Sequence, residues 1–222
     1  MTDQNYAHVS IIADRSGSMG HIADPPLSKA QAATAGIHKL IDAQLAAPGR
    51  VTFSLMDFDT IHTDVESMGD GSKSLEWSCQ PRGMTALLDA VGTTIVKTGE
   101  QLAAMPEDQR PGRVFVVIAT DGIENASHEY RLAQVKDMVT RQREDYDWQF
   151  IFIGCDIDAF GDAFAMGMTR DSTLTTNSAN LSAAYTATNN AMLRSRGPGG
   201  QSVSYSGAER AAASGGTFDP DA

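Results

Sequence analysis

Two unbroken apolar runs constrain what this chain can fold into. Arg113–Thr120 (RVFVVIAT) and Trp148–Gly154 (WQFIFIG) are rich in β-branched and aromatic residues. They have the length of strands. Lacking polar alternation, they must be covered on both faces. Between them, Tyr130–Arg143 carries Leu132, Val135, Met138 and Val139 at helical spacing. A helix linking two doubly buried strands is the crossover of a parallel pair.

The rest of the chain extends this pattern. His8–Ala13 (HVSIIA) is a short strand, and Val51–Phe58 (VTFSLMDF) alternates with period two. Ile61–Met68 follows after the Asp59-Thr60 corner and predicts an antiparallel hairpin with it. Ser172–Thr176 is a last edge strand. Helical spacing covers Lys29–Ala47, Thr85–Met105, Asp158–Met166 and Leu181–Leu193. Ser28 with Gln31 forms a capping-box signal before the first of these helices. The expected fold is α/β, a doubly wound and mostly parallel sheet with helices on both faces. There is no internal repeat. From Arg196 to Ala222 the chain is Gly/Ser/Ala-rich and shows no apolar face, so 196–222 reads as a flexible tail after a domain over residues 3–195.

Charge and cysteine usage narrow the function. With 17 basic and 28 acidic residues the net charge is −11, the wrong sign for a nucleic-acid surface. No apolar run approaches the ~20 residues of a membrane span. The N-terminal residues lack the basic and apolar parts of a secretory leader. Cys79 and Cys155 are far apart and fit neither a thiolate metal site nor a disulfide framework; both read as small core residues. A soluble, reduced, cytoplasmic protein is the expectation.

The chemistry sits at the strand ends. The first strand runs into Asp14-Arg15-Ser16-Gly17-Ser18, three oxygen side chains at i, i+2 and i+4. Arg113–Thr120 runs into Asp121-Gly122. In a doubly wound sheet, ligands bind beyond the carboxyl ends of the strands, where strand order reverses. If these two strands are neighbours there, Asp14, Ser16, Ser18 and Asp121 share a crevice. Thr85, in the segment PRGMTALLD, can add a hydroxyl from a helix start. Carboxylate and hydroxyl oxygens are hard donors, suited to Mg²⁺ or Mn²⁺ and unsuited to zinc.

Asp14, Ser16, Ser18, Thr85 and Asp121 together resemble the metal-ion-dependent adhesion site of von Willebrand factor A domains. The likeness runs over about residues 7–170, through the GMTALLDA and ATDGIENAS segments, and is greatest to stand-alone bacterial and phage members. It implies a six-stranded sheet in the order 3-2-1-4-5-6 with one antiparallel edge strand. It also implies roles. Ser16, Ser18 and, in the competent state, Thr85 would bind the metal directly; Asp14 and Asp121 would bind directly or through water. Mainly neutral donors leave the cation short of negative charge, so an Asp or Glu of a partner protein can complete it.

Other residues have weaker claims. Asp89 follows Thr85 by one helical turn and is a candidate support for the site. Arg15 and Arg82 flank it, to meet a partner's carboxylate or merely to be solvated. Asn125 and Ser127 read as caps of the following helix, Glu124 as a rim acid, and Asp57 and Asp59 as turn acids. His21 reads as a loop residue, and the scattered methionines as core filling. No GxxxxGK[ST] loop is present, which excludes a P-loop nucleotidase. Nor is there a nucleophile elbow, a D-x-D pair at the first strand end or a histidine placed as a base, so a metal-dependent hydrolase is the weaker reading and no enzyme is expected. An assembly protein is the other alternative, with Asp219, Asp221 and the terminal carboxylate entering their own site or a neighbour's.

Overall fold

A computed structural model describes residues 1–20, 28–196 and 199–216. His21, Asp219 and Asp221 lie outside the described residues. Six strands form one sheet: β1 (Asp3–Asp14), β2 (Arg50–Phe58), β3 (His62–Gly69), β4 (Pro111–Thr120), β5 (Gln149–Cys155) and β6 (Thr173–Thr176). Their spatial order is β3-β2-β1-β4-β5-β6. Only β2 and β3 pair antiparallel, as the hairpin reading required. Seven helices are described: α1 (Lys29–Ala46), α2 (Ser72–Glu76), α3 (Leu87–Ala103), α4 (Leu132–Tyr146), α5 (Ala159–Ala165), α6 (Leu181–Arg196) and α7 (Gly207–Ser214). None is long and apolar enough to cross a membrane.

The two apolar runs are buried on both faces. Phe115, Val117 and Ala119 of β4 enter one core with Ile37 and Leu40 of α1 and Ala184 and Tyr185 of α6. Val114, Val116 and Ile118 enter the other with Val91 and Ile95 of α3 and Val135 of α4. The predicted capping box starts α1: Gln31 N donates to Ser28 Oγ and Ser28 N to Gln31 Oε1. Both cysteines are free and buried, and burial pushes their thiols up to about 12. They are unreactive core residues at neutral pH.

The reading of 196–222 as a flexible tail needs correction over residues 199–216. Val203, Tyr205 and Ala213 are buried in the core of the α1/α6 face. Ser206 and Glu209 form a capping box that starts α7. Arg210 is buried and donates to the carbonyls of Thr173, Arg170 and Asp171. An apolar face does exist here. It is built from three residues, Val203 and Tyr205 two positions apart and Ala213 eight further on, too sparse to show as a period.

A polar network crosses the other side of the sheet. His8 is fully buried; its Nδ1 lies 3.0 Å from Thr52 Oγ1 and its Nε2 3.0 Å from Ser10 Oγ. Ser10 in turn meets Thr98 of α3 at 3.1 Å. Desolvation, only partly offset by the bond to Thr52, lowers the imidazole pKa from 6.5 to about 4. Above pH 6.5 the ring is neutral folded or unfolded, and its contribution is intact. As pH falls towards 4, the unfolded chain takes up a proton that the folded chain refuses. Stability at pH 4.5 should therefore drop by about 2–3 kcal/mol from this residue. Urea midpoints at pH 7 and 4.5, wild type against His8→Gln, measure it. An equal drop in both would rule His8 out as the source.

Candidate metal centre

The sheet brings the predicted residues together. β1 and β4 are adjacent, with Ala13 opposite Ala119, so Asp14 and Asp121 leave neighbouring strands at their carboxyl ends. Here the order reverses, since β1 connects outward to β2 and β4 to β5. Asp14 closes β1, and its Oδ1 accepts from Ser16 N at 2.6 Å. That bond turns the loop so that Ser16 and Ser18 fall side by side, their hydroxyls 2.9 Å apart. Ser18 Oγ donates to Asp121 Oδ1 at 2.6 Å. Thr120 Oγ1 donates to Asp14 Oδ2 at 2.5 Å, tying the two strand ends directly. Burial pushes the Asp14 carboxyl above its ordinary range, against the pull of the bonds from Thr120 and Ser16.

Thr85 arrives from a third segment. It lies two residues before α3 rather than inside a helix, as the wider Thr85–Met105 reading had placed it. Its backbone is locked: Thr85 N donates to Asn125 Oδ1 and Asn125 N to Thr85 O. Gly122 packs against it. A Cβ on Gly122 would lie 2.5 Å from Thr85 Oγ1 and 3.4 Å from Asp14 Oδ2. Thr85, Asp14 and the Asp121 loop therefore share one small volume. Gly83 holds a left-handed φ of 68°, and its carbonyl accepts from Gly17 N at 3.1 Å, which joins this segment to the serine loop.

The flanking residues act as scaffolding. Asp89 accepts from the backbone N–H of His128, Glu129 and Tyr130, fixing the loop after Asp121 to α3. Glu124 accepts from Leu88 N, Ala126 N and Ser127 N, so its carboxylate is already engaged. Ser127 Oγ accepts from Asp89 N. Asn125 and Ser127 thus secure the start of α3, not that of α4. Arg15 is 9 % exposed and pairs with Asp57 at 3.4 Å and Asp59 at 3.1 Å. Arg82 pairs with Asp59 at 2.7 Å. Burial would raise the Asp59 carboxyl, but Arg82, Ile61 N and Arg15 more than offset this and hold it low. Asp59 is a turn acid, its Oδ1 accepting from Ile61 N at 3.0 Å, and an ion-pair residue as well; Asp57 lies within β2 and pairs with Arg15.

Two participants were not read from the sequence. Thr120 is one. The other is Lys29, first residue of α1, whose Nζ sits 2.8 Å from Asp121 Oδ2 and 3.1 Å from Asp156 Oδ2. Burial would lower its pKa; the two carboxylates more than compensate, and the net direction is up. A signal existed in the sequence. The N-terminal turn of a helix disfavours cations, so a lysine directly after a serine cap needs a partner.

The donor set suits a hard divalent cation: two carboxylates and three hydroxyls, converging and mostly buried. Among the described residues, no group of three or more His, Cys, Asp or Glu side chains is arranged for a metal. The mouth carries apolar side chains, with Ile61, Met84 and Ile123 exposed on the surrounding loops.

No family model matches the chain, and no curated protein sequence matches it. Solved structures do match in fold. Proximal thread matrix protein 1 from the mussel byssus aligns over 83 % of this chain at 16 % identity, with a TM-score of 0.61. The chain spans 45 % of that protein's length. The vWF domain of the type V pili tip protein Mfa5 from Porphyromonas gingivalis aligns over 84 % of this chain and 94 % of its own, at 12 % identity and a TM-score of 0.62. Another structure of the mussel protein, with a zinc-occupied MIDAS motif, aligns over 85 % of this chain and 46 % of its own at 16 % identity, TM-score 0.60. The chain has a von Willebrand factor A-like fold.

Proposed function

We propose that this von Willebrand A-like chain is a protein-binding module. In this reading a divalent cation, Mg²⁺ or Mn²⁺, is held by Asp14, Ser16, Ser18, Thr85 and Asp121, and the partner supplies an Asp or Glu carboxylate. The carrying observation is the convergence of three hydroxyls on two carboxylates that are themselves already hydrogen-bonded. Ser16 and Ser18 present neutral oxygens, and Asp121 orients Ser18. Asp14 orients the serine loop and takes the Thr120 hydroxyl. In this reading the direct donors are mainly neutral hydroxyls, with the two carboxylates binding directly or through water, so the cation stays electron-poor. The cation supplies an electron-poor coordination position for an external carboxylate. Exposed Ile61, Met84 and Ile123 suit a partner whose acid stands among apolar side chains.

A binding role also fits the placement of bases. His8 spends both ring nitrogens inside the sheet, and His38 Nε2 bonds the Trp77 carbonyl. We assign no catalytic residue. The test is capture from the source's lysate in excess Mg²⁺ and in EDTA, for wild type and Ser16→Ala, with a thermal melt of each. A partner retained only by wild type with Mg²⁺ is expected, with the variant falling to the EDTA level at an unchanged melting temperature. Capture by Ser16→Ala equal to wild type would overturn the mechanism.

A further inference from the structure

We propose that Lys29 is a built-in counter-cation of this centre, which lowers its affinity for the divalent ion. The inference rests on the metal-binding reading above. It begins from an unfavourable placement. The Lys29 side chain is only 11 % exposed, so its ammonium has lost most of its water. It also stands at the positive end of α1, where an Asp or Glu would stabilise the helix. Ordering a long flexible stem adds an entropic cost. The helix gains nothing from this residue. The Asp121 and Asp156 carboxylates, at 2.8 and 3.1 Å, are what hold it there.

The consequence falls on Asp121. Its Oδ1 takes the Ser18 hydroxyl, and its Oδ2 takes the ammonium. One of the two carboxylates of the donor set therefore arrives already charge-paired. Asp14 remains, with Ser16 N and the Thr120 hydroxyl on its two oxygens. An entering dication is repelled by the ammonium, whose charge Asp121 and Asp156 share.

The experiment is a calorimetric titration of the full chain with Mg²⁺ and with Mn²⁺, for wild type, Lys29→Met, Lys29→Arg and Asp156→Asn, each first melted in EDTA. Lys29→Met keeps the apolar stem and removes the charge. It should bind metal at least about tenfold tighter, the size expected of one unit charge beside a dication in a wet site. Lys29→Arg keeps the charge and should stay within about twofold of wild type on the same grounds. Asp156→Asn leaves the ammonium wholly to Asp121 and should bind metal more weakly; this partly exposed position is a second arm should Lys29→Met melt early. Unchanged or weaker binding by Lys29→Met overturns the proposal in favour of a positioning role, as does tighter binding by Asp156→Asn. Wild type and Lys29→Met both failing to bind would overturn the metal reading together with this one. Wild type binding normally with Lys29→Met identical would overturn this one alone.

Discussion

Gly122→Ala should cost the centre its metal affinity although no proposed ligand residue is itself substituted. The added methyl would stand 2.5 Å from Thr85 Oγ1 and 3.1 Å from Thr85 Cγ2. Neither side can give way cheaply. Thr85 is β-branched and stiff about χ1, and its backbone is clamped on both sides by Asn125. The loop carrying Gly122 is pinned by Asp89 and Glu124 to α3, and by Gly122 N to Thr120 Oγ1. The methyl must therefore displace Thr85 or Asp121, and a coordination set tolerates only about half an ångström. Mg²⁺ affinity should fall at least about tenfold, and overpacking should cost about 1–3 kcal/mol of stability. Titration calorimetry and urea unfolding on the same preparation separate the two effects. A variant that loses stability but binds Mg²⁺ like wild type would remove Thr85 from the donor set.

What the sequence revealed and what it concealed have distinct physical causes. β4 and β5 were legible because burial on both faces leaves no polar positions. The serine loop was legible because its three oxygens lie within five residues. β1 was read as starting at His8 yet begins at Asp3, because Gln4 and Asn5 are polar and exposed there. Arg15 was read as a flanking cation. Its partners Asp57 and Asp59 come from the end of β2 and the turn beyond it, and only the β1–β2 pairing brings them near. The bond from Lys29 to Asp121 spans 92 positions and leaves no periodic trace. The one local clue is a cation where a helix prefers an anion. α7 was concealed differently. Half of its residues are alanine, and its anchors are the Arg210 guanidinium and Ala213, with Val203 and Tyr205 upstream.

Ending the chain after Arg196 should unfold most of the population, a larger effect than any single substitution. Removal of Val203 and Tyr205 strips two buried side chains from the core under α6 and β6, worth about 1.5–3 kcal/mol each. Thr188 loses the Tyr205 hydroxyl at 2.7 Å, and Thr176 loses the Ala213 carbonyl at 2.8 Å. The carbonyls of Thr173, Arg170 and Asp171 lose the Arg210 guanidinium, at about 1 kcal/mol per hydrogen bond. Together these approach the whole 5–15 kcal/mol that keeps an ordinary domain folded. β6, an edge strand of four residues, would also lose the helix that covers it. Arg210→Ala alone should lower stability by about 2–4 kcal/mol, read from urea midpoints. A shortened chain with the wild-type midpoint would show that α7 adds nothing. The result bears on the assembly alternative. A cut after Arg196 cannot test whether Asp219 and Asp221 enter a metal centre, because it damages the domain that holds the centre. A cut after Gly216 removes those acids and spares α7, so only that variant makes a change in metal affinity or oligomeric state attributable to them.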